Sequence, residues 1–169
     1  MIKEKIIKIF KDNYLEEIYQ IGWFDPDDKD FTINGSYVYF QLGNKYLCFK
    51  AVESYSKLEI SITNSVIYRE SAEDLIDGHI MISDFIFKNP MESSEERRIL
   101  EVTFYNPEEY KNKLLSDVLL IKFSNGEYIF MDPGFLEIKI GNLNNKRFWE
   151  ENTIYKTVLN IEKIRLNMK

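Results

Sequence analysis

A single cysteine, Cys48, and a single histidine, His79, stand among 169 residues, and the chain holds only seven glycines and four prolines. One thiol excludes an intramolecular disulfide and suits a reducing compartment. One thiol and one imidazole are too few for a zinc centre. Glycines scattered singly at turns exclude collagen-like, linker and low-complexity segments. Long apolar runs are missing as well. The longest strictly aliphatic stretch is Val118–Ile121, against the roughly 20 residues that a membrane-spanning helix needs. The opening MIKEKIIKIFKDN interleaves lysine with isoleucine and lacks the continuous apolar core of a signal peptide. A soluble, cytoplasmic protein with no membrane contact is expected.

Aromatic residues are abundant instead: 12 Phe, 11 Tyr and 2 Trp, 15% of the chain, within a hydrophobic share of 44%. That load is too high for a disordered chain and favours strands. The length fits one domain, residues 1–169, with a core of its own. Charge is unevenly spread. Residues 1–11 carry +3 and residues 139–169 carry +4, so a total of −6 leaves −13 for residues 12–138. An acidic body disfavours nucleic acid, whose phosphates demand a cationic face, and favours a basic protein partner.

The clearest local signal lies between Val118 and Gly141. Three apolar runs are separated by Asn125-Gly126 and by Asp132-Pro133-Gly134, both turn signatures. They predict a three-stranded meander in the middle of a larger sheet. Ile2, Ile6, Ile9 and Phe10 recur at helical spacing, and after a break near Asp12-Asn13 the pattern continues through Tyr14, Leu15, Ile18 and Tyr19 toward a stop at Gly22, so one or two helices are expected to lead into the sheet. After the charged turn Asp25–Asp30, Tyr37–Leu42 and Tyr46–Val52 flank a hairpin turn, and Leu58–Thr63 alternates strictly. Val66–Tyr68 reads as a short edge strand. Ser71–Leu75 reads as a capped helical turn ended by Asp77-Gly78. His79–Phe87 and Ile99–Tyr105 read as strands, with the polar loop Lys88–Arg98 between them. Asn106-Pro107 reads as the start of a helix to about Leu115. The tail from Asn145 suits either helix or strand, and helix is preferred. The expected fold is α+β: a predominantly antiparallel sheet, an N-terminal helix and helical segments near the C-terminus.

Chemistry-bearing constellations are few. His79 has no local nucleophile or orienting acid and is read as structural. Cys48, between Leu47 and Phe49, is read as a buried, inert thiol. Asp25, Asp27, Asp28 and Asp30 fail the calcium-loop spacing, since the sixth position is Asp30 rather than glycine and the twelfth is Ser36. Adjacent acids such as Glu95-Glu96 and Glu108-Glu109 point different ways and cannot face one another across a cleft. Walker, GxGxxG, GxSxG and HExxH patterns are absent. No enzyme, metal or cofactor is expected. What stands out is a run of acids without a compensating base: Glu70, Glu73, Asp74, Asp77 and Asp84, interleaved with Leu75, Ile76, Ile80 and Ile82. These five are the candidate partner-binding residues, and Trp23, Trp149 and the tyrosines are candidate anchors. Trp149, beside Phe148, reads more simply as a plug holding the tail to the core.

The stretch NGEYIFMDPGFLEIKIG, Asn125–Gly141, followed by Phe148-Trp149, resembles the sheet segments of small bacterial toxin-immunity proteins that accompany polymorphic and contact-dependent toxins. The usage rich in Lys, Ile, Asn, Tyr and Phe also resembles that of an AT-rich bacterial genome. The resemblance implies a non-enzymatic protein that covers the active site of one cognate toxin, commonly a basic nuclease. A structural protein of phage or mobile-element origin, and an enzyme using His79 with nearby carboxylates, are the alternatives.

Overall fold

A computed structural model describes residues 1–68, 74–88, 97–153 and 160–166. Two antiparallel sheets face each other. The first has the strand order β5-β1-β2-β3-β4-β8-β7, from β1 (Leu15–Asp25), β2 (Asp30–Leu42), β3 (Lys45–Val52), β4 (Lys57–Thr63), β5 (Ile76–Met81), β7 (Glu108–Tyr110) and β8 (Lys113–Ser116). The second has the order β11-β10-β9-β6-β12, from β6 (Ile99–Tyr105), β9 (Leu119–Phe123), β10 (Tyr128–Asp132), β11 (Lys139–Gly141) and β12 (Ile161–Arg165). Three helices complete the described residues: α1 (Ile2–Asp12), α2 (Ser83–Ile86) and α3 (Leu143–Asn152). The architecture is the expected sheet-dominated α+β domain, and among the described residues no helix is long and apolar enough to cross a membrane.

Alternation builds the core. Ile18, Val38, Phe40, Leu42, Leu47, Phe49, Leu58 and Ile60 point from the first sheet into one continuous apolar cluster. Val102, Phe104, Leu119, Ile121, Phe123, Ile129 and Met131 enter it from the second. Phe40 and Phe49 touch at 4.8 Å between ring centres. α1 buries Ile6 and Phe10 in the same cluster and contacts β8 of one sheet and β6 of the other. Its lysines stay outside, and Lys3 reaches Glu162 of β12 at 2.8 Å.

The hairpin turns form where the sequence places them. Gly43 and Gly126 take φ of 62° and 85°, and the Asn125 side chain accepts the Glu127 N–H at 3.0 Å. The Asp25 carboxylate closes the charged turn by accepting the Asp27 N–H at 2.9 Å. The meander has the expected strands but not the expected place. It runs from the edge of the smaller sheet, at β11, to its centre, at β9.

Five expectations fail, each because a distant partner outweighs the local pattern. Leu15–Gly22 continues no helix: the Asn13 side chain caps α1 by donating to Ile9 O at 2.9 Å, and β1 then pairs with β2 on one side and β5 on the other. Asn106-Pro107 starts no helix. Asn106 takes φ 49°, donates to Asp117 Oδ2 at 2.8 Å and accepts the Asn160 N–H at 2.9 Å. Lys111 (φ 53°) then closes the β7–β8 hairpin, and β8 pairs on its other side with β4, where Leu114 lies opposite Ile60. Asp77-Gly78 does not end a helical turn but lies within β5, and His79–Phe87 is not one strand. β5 stops at Met81, because the Glu17 carboxylate accepts the Ser83 N–H at 3.0 Å and draws the chain into α2. Val66–Tyr68 pairs with no strand. It crosses the outer face of the first sheet, where Tyr39 Oη donates to Ile67 O at 3.1 Å.

In the tail, α3 is helical as preferred, but Ile161–Arg165 is a strand paired with β6, as its β-branched isoleucines allow. Residues 154–159 of that reading, and Ser71–Glu73 and most of the Lys88–Arg98 loop, lie outside the described residues. Trp149 is the expected plug: it is buried edge-on against Tyr105 at 5.2 Å, with Phe130 at 6.0 Å.

Candidate functional site

The sandwich has two sides. α1 fills one, while the other lies between β5 and β11, both terminal strands of their sheets. Two adjoining grooves open there, of about 440 and 530 Å³. They share Phe85, Ile86 and Ile140 as a common wall. Ile80 and Ile82 floor the smaller groove, and Leu143 rims the larger one.

Local structure explains why apolar groups stand in solvent here. α2 is a single turn, too short to bury both faces. Its Ser83 is buried, and its Phe85 is 88% exposed. Met81 and Ile76 are also exposed, at the two ends of β5. On the opposite wall the chain leaves β10 through Asp132-Pro133-Gly134, where the Asp132 carboxylate accepts the Gly134 N–H at 2.8 Å. It then presents Phe135 and Leu136, the latter 78% exposed and at φ 61°. A leucine in the left-handed region is strained, because its Cβ crowds the backbone.

Of the five acids singled out from the sequence, Asp74, Asp77 and Asp84 are placed and Glu70 and Glu73 lie outside the described residues. The three do not form a compact patch. Asp74 lies in the turn before β5, Asp77 within the strand and Asp84 in the helical turn α2 after it. Nor are they all without a base, as expected. Asp84 Oδ1 lies 3.3 Å from Nη2 of Arg97, a guanidinium that is itself buried. Arg97 also donates to Glu16 O at 3.2 Å and covers the Phe87 ring at 4.7 Å. The pairing joins residues thirteen apart through a loop, so the charge run alone did not reveal it.

Asp77 differs. It sits opposite Trp23 in the β5–β1 register, its Oδ1 is out of reach of solvent, and that oxygen has no hydrogen-bond partner among the described residues. A buried carboxylate oxygen left unpaired costs on the order of 1–3 kcal/mol.

His79, two residues on and on the same face, is exposed rather than packed inside. Its Nδ1 lies 2.6 Å from Tyr68 Oη, and the Tyr19 ring meets it edge-on at 5.1 Å. Burial raises the Tyr19 phenol above its ordinary pKa, with Tyr46, Glu17 and Glu16 adding to the rise. Cys48 is buried on this outer face beside Ile21 and Tyr39, as expected. Sequence reasoning missed Phe85, Met81, Phe135, Leu136 and Leu143. The available signal was the Asp132-Pro133-Gly134 turn, which projects the Phe-Leu pair after it; Phe85 is hidden in a run that reads as strand.

Chemically the side can hold apolar groups in its grooves and exchange backbone hydrogen bonds along the outer edge of β5, which is unpaired among the described residues. Among the described residues no cluster of three or more His, Cys, Asp or Glu side chains is placed to hold a metal ion. Compared with family models, curated proteins and solved structures, the chain matches none.

Proposed function

We propose that the protein is an immunity protein: a non-enzymatic, cytoplasmic binding protein that neutralises a cognate bacterial toxin, a basic one, by covering its active site. One observation carries this reading. Along the β5–α2 edge, exposed Ile76, Met81 and Phe85 lie within a few residues of the acids Asp74, Asp77 and Asp84 in the chain. Single exposed apolar residues are ordinary, whereas a cluster beside grooves and rimmed by charge marks an interaction site. The acids would speed encounter with a cationic surface, and the apolar groups would supply most of the affinity after desolvation.

The test is neutralisation of the toxin encoded beside this chain, in a growth assay and by surface plasmon resonance. Binding should protect growth, and Asp74→Lys with Asp77→Lys should slow association about tenfold and flatten its salt dependence. Unchanged association would sink the assignment of this edge. A second reading, homo-oligomeric assembly, is favoured by the exposed ends of β5, a terminal strand. A strict monomer in sedimentation at micromolar concentration would speak against it.

A further inference from the structure

From the open side of the sandwich we infer that β5 accepts an extended, basic segment of a partner protein as an added strand. This inference rests on the binding role proposed above and names its mode. Among the described residues nothing pairs with the outer edge of β5, so that edge presents N–H and C=O groups that an incoming strand would satisfy.

The register of β5 fixes what such a strand would carry. Directly paired residues share a face, and Asp77, His79 and Met81 pair with Trp23, Ile21 and Tyr19 on the face that holds the Ile21–Tyr39–Cys48 cluster. Ile76, Gly78 and Ile80 therefore point the other way, and Ile80 floors the groove together with Ile82. Side chains of an added strand alternate in the same sense. Those on the inner face would be apolar and would enter the groove over Ile80, Ile82, Ile138 and Ile140. Those on the outer face would lie beside the carboxylate of Asp77. A lysine or arginine there meets that carboxylate with the opposite charge.

Charge selects this occupant over a second copy of the chain. Two copies meeting at β5 would bring two sets of Asp74 and Asp77 together, within a chain of net charge −6. A basic segment meets them with the opposite sign.

The test uses the full chain and a short capped peptide of alternating lysine and isoleucine, with its fully N-methylated counterpart as control. Amide hydrogen exchange is followed by heteronuclear NMR. Saturating peptide should slow exchange at Ile76–Met81 about tenfold, and the N-methylated peptide, which cannot donate, should leave it unchanged. Asp77→Asn should weaken the peptide about fivefold. Absence of protection at β5, equal binding of both peptides, or a peptide-free dimer that protects β5 would each overturn the inference. Protection without neutralisation of the neighbouring toxin would sink the immunity role and leave the docking mode standing. Neutralisation by a bound toxin that leaves β5 unprotected would do the reverse.

Discussion

The two sides of the sandwich are built from similar residues and end differently. On one, α1 lays Ile6 and Phe10 into the space between β8 and β6, and both are fully buried. On the other, α2 lays Ser83 inward and leaves Phe85 in solvent beside two grooves. The contrast comes from helix length. Eleven residues of α1 give three turns, enough for isoleucines and Phe10 on one face and lysines on the other. Four residues of α2 give one turn and no second face to choose. A side closed by a helix serves stability, and a side left open by a single turn is available to a partner.

That comparison can be broken by substitution. Phe10→Ala on the closed side should cost about 3–5 kcal/mol, through lost burial and a cavity that the two sheets cannot close. Urea denaturation measures it. Phe85→Ala on the open side should leave stability within about 0.5 kcal/mol while lowering affinity for the partner by about 2 kcal/mol, as removal of an interface anchor does. Equal stability losses at the two positions would remove the distinction between the sides.

Arg97→Ala should cost about 1–2 kcal/mol, because it strips the cover from Phe87 and the donor from Glu16 O. Its exposed partner Asp84 loses little. The same measurement on Leu136→Gly should show a gain of about 0.5–1 kcal/mol, since glycine accepts φ 61° without strain and the side chain buries little. The smallest effect concerns pH. Tyr19 is held protonated by burial above the ordinary 10.0. Its contribution to stability is therefore complete below that value and fades as pH rises through the higher folded value. Ultraviolet titration should show phenolate appearing late, and Tyr19→Phe should lower the amplitude of that late step without abolishing it, because burial raises Tyr105 as well.

Much of the sheet was legible residue by residue. Gly43 and Gly126 announce turns because few residues accept their positive φ, and Asp132-Pro133-Gly134 does so because its carboxylate accepts the Gly134 N–H. Leu58–Thr63 announces a half-buried strand because its alternation matches the pleat. The candidate site was less legible. The acids at Asp74, Asp77 and Asp84 are visible in the sequence, but the pairing of Asp84 with Arg97 is not, since it depends on the path of a loop. The exposure of Phe85 was also hidden. Ile82–Phe87 has the composition of a strand, and only the Glu17 carboxylate at the Ser83 N–H makes it turn.

By itself, then, the amino-acid order determined the turn positions, the sheet-rich character, the amphipathic first helix and the acidic body. Each follows from short-range chemistry, in which a residue and its nearest neighbours settle the outcome. Only the tertiary structure decided that Leu15–Asp25 is a strand, that Glu108–Ser116 is a hairpin, and that one side of the sandwich stays open among the described residues. Those outcomes depend on partners dozens of residues away, and pairing with them outweighs a local helical pattern worth only a few tenths of a kcal/mol per residue, roughly.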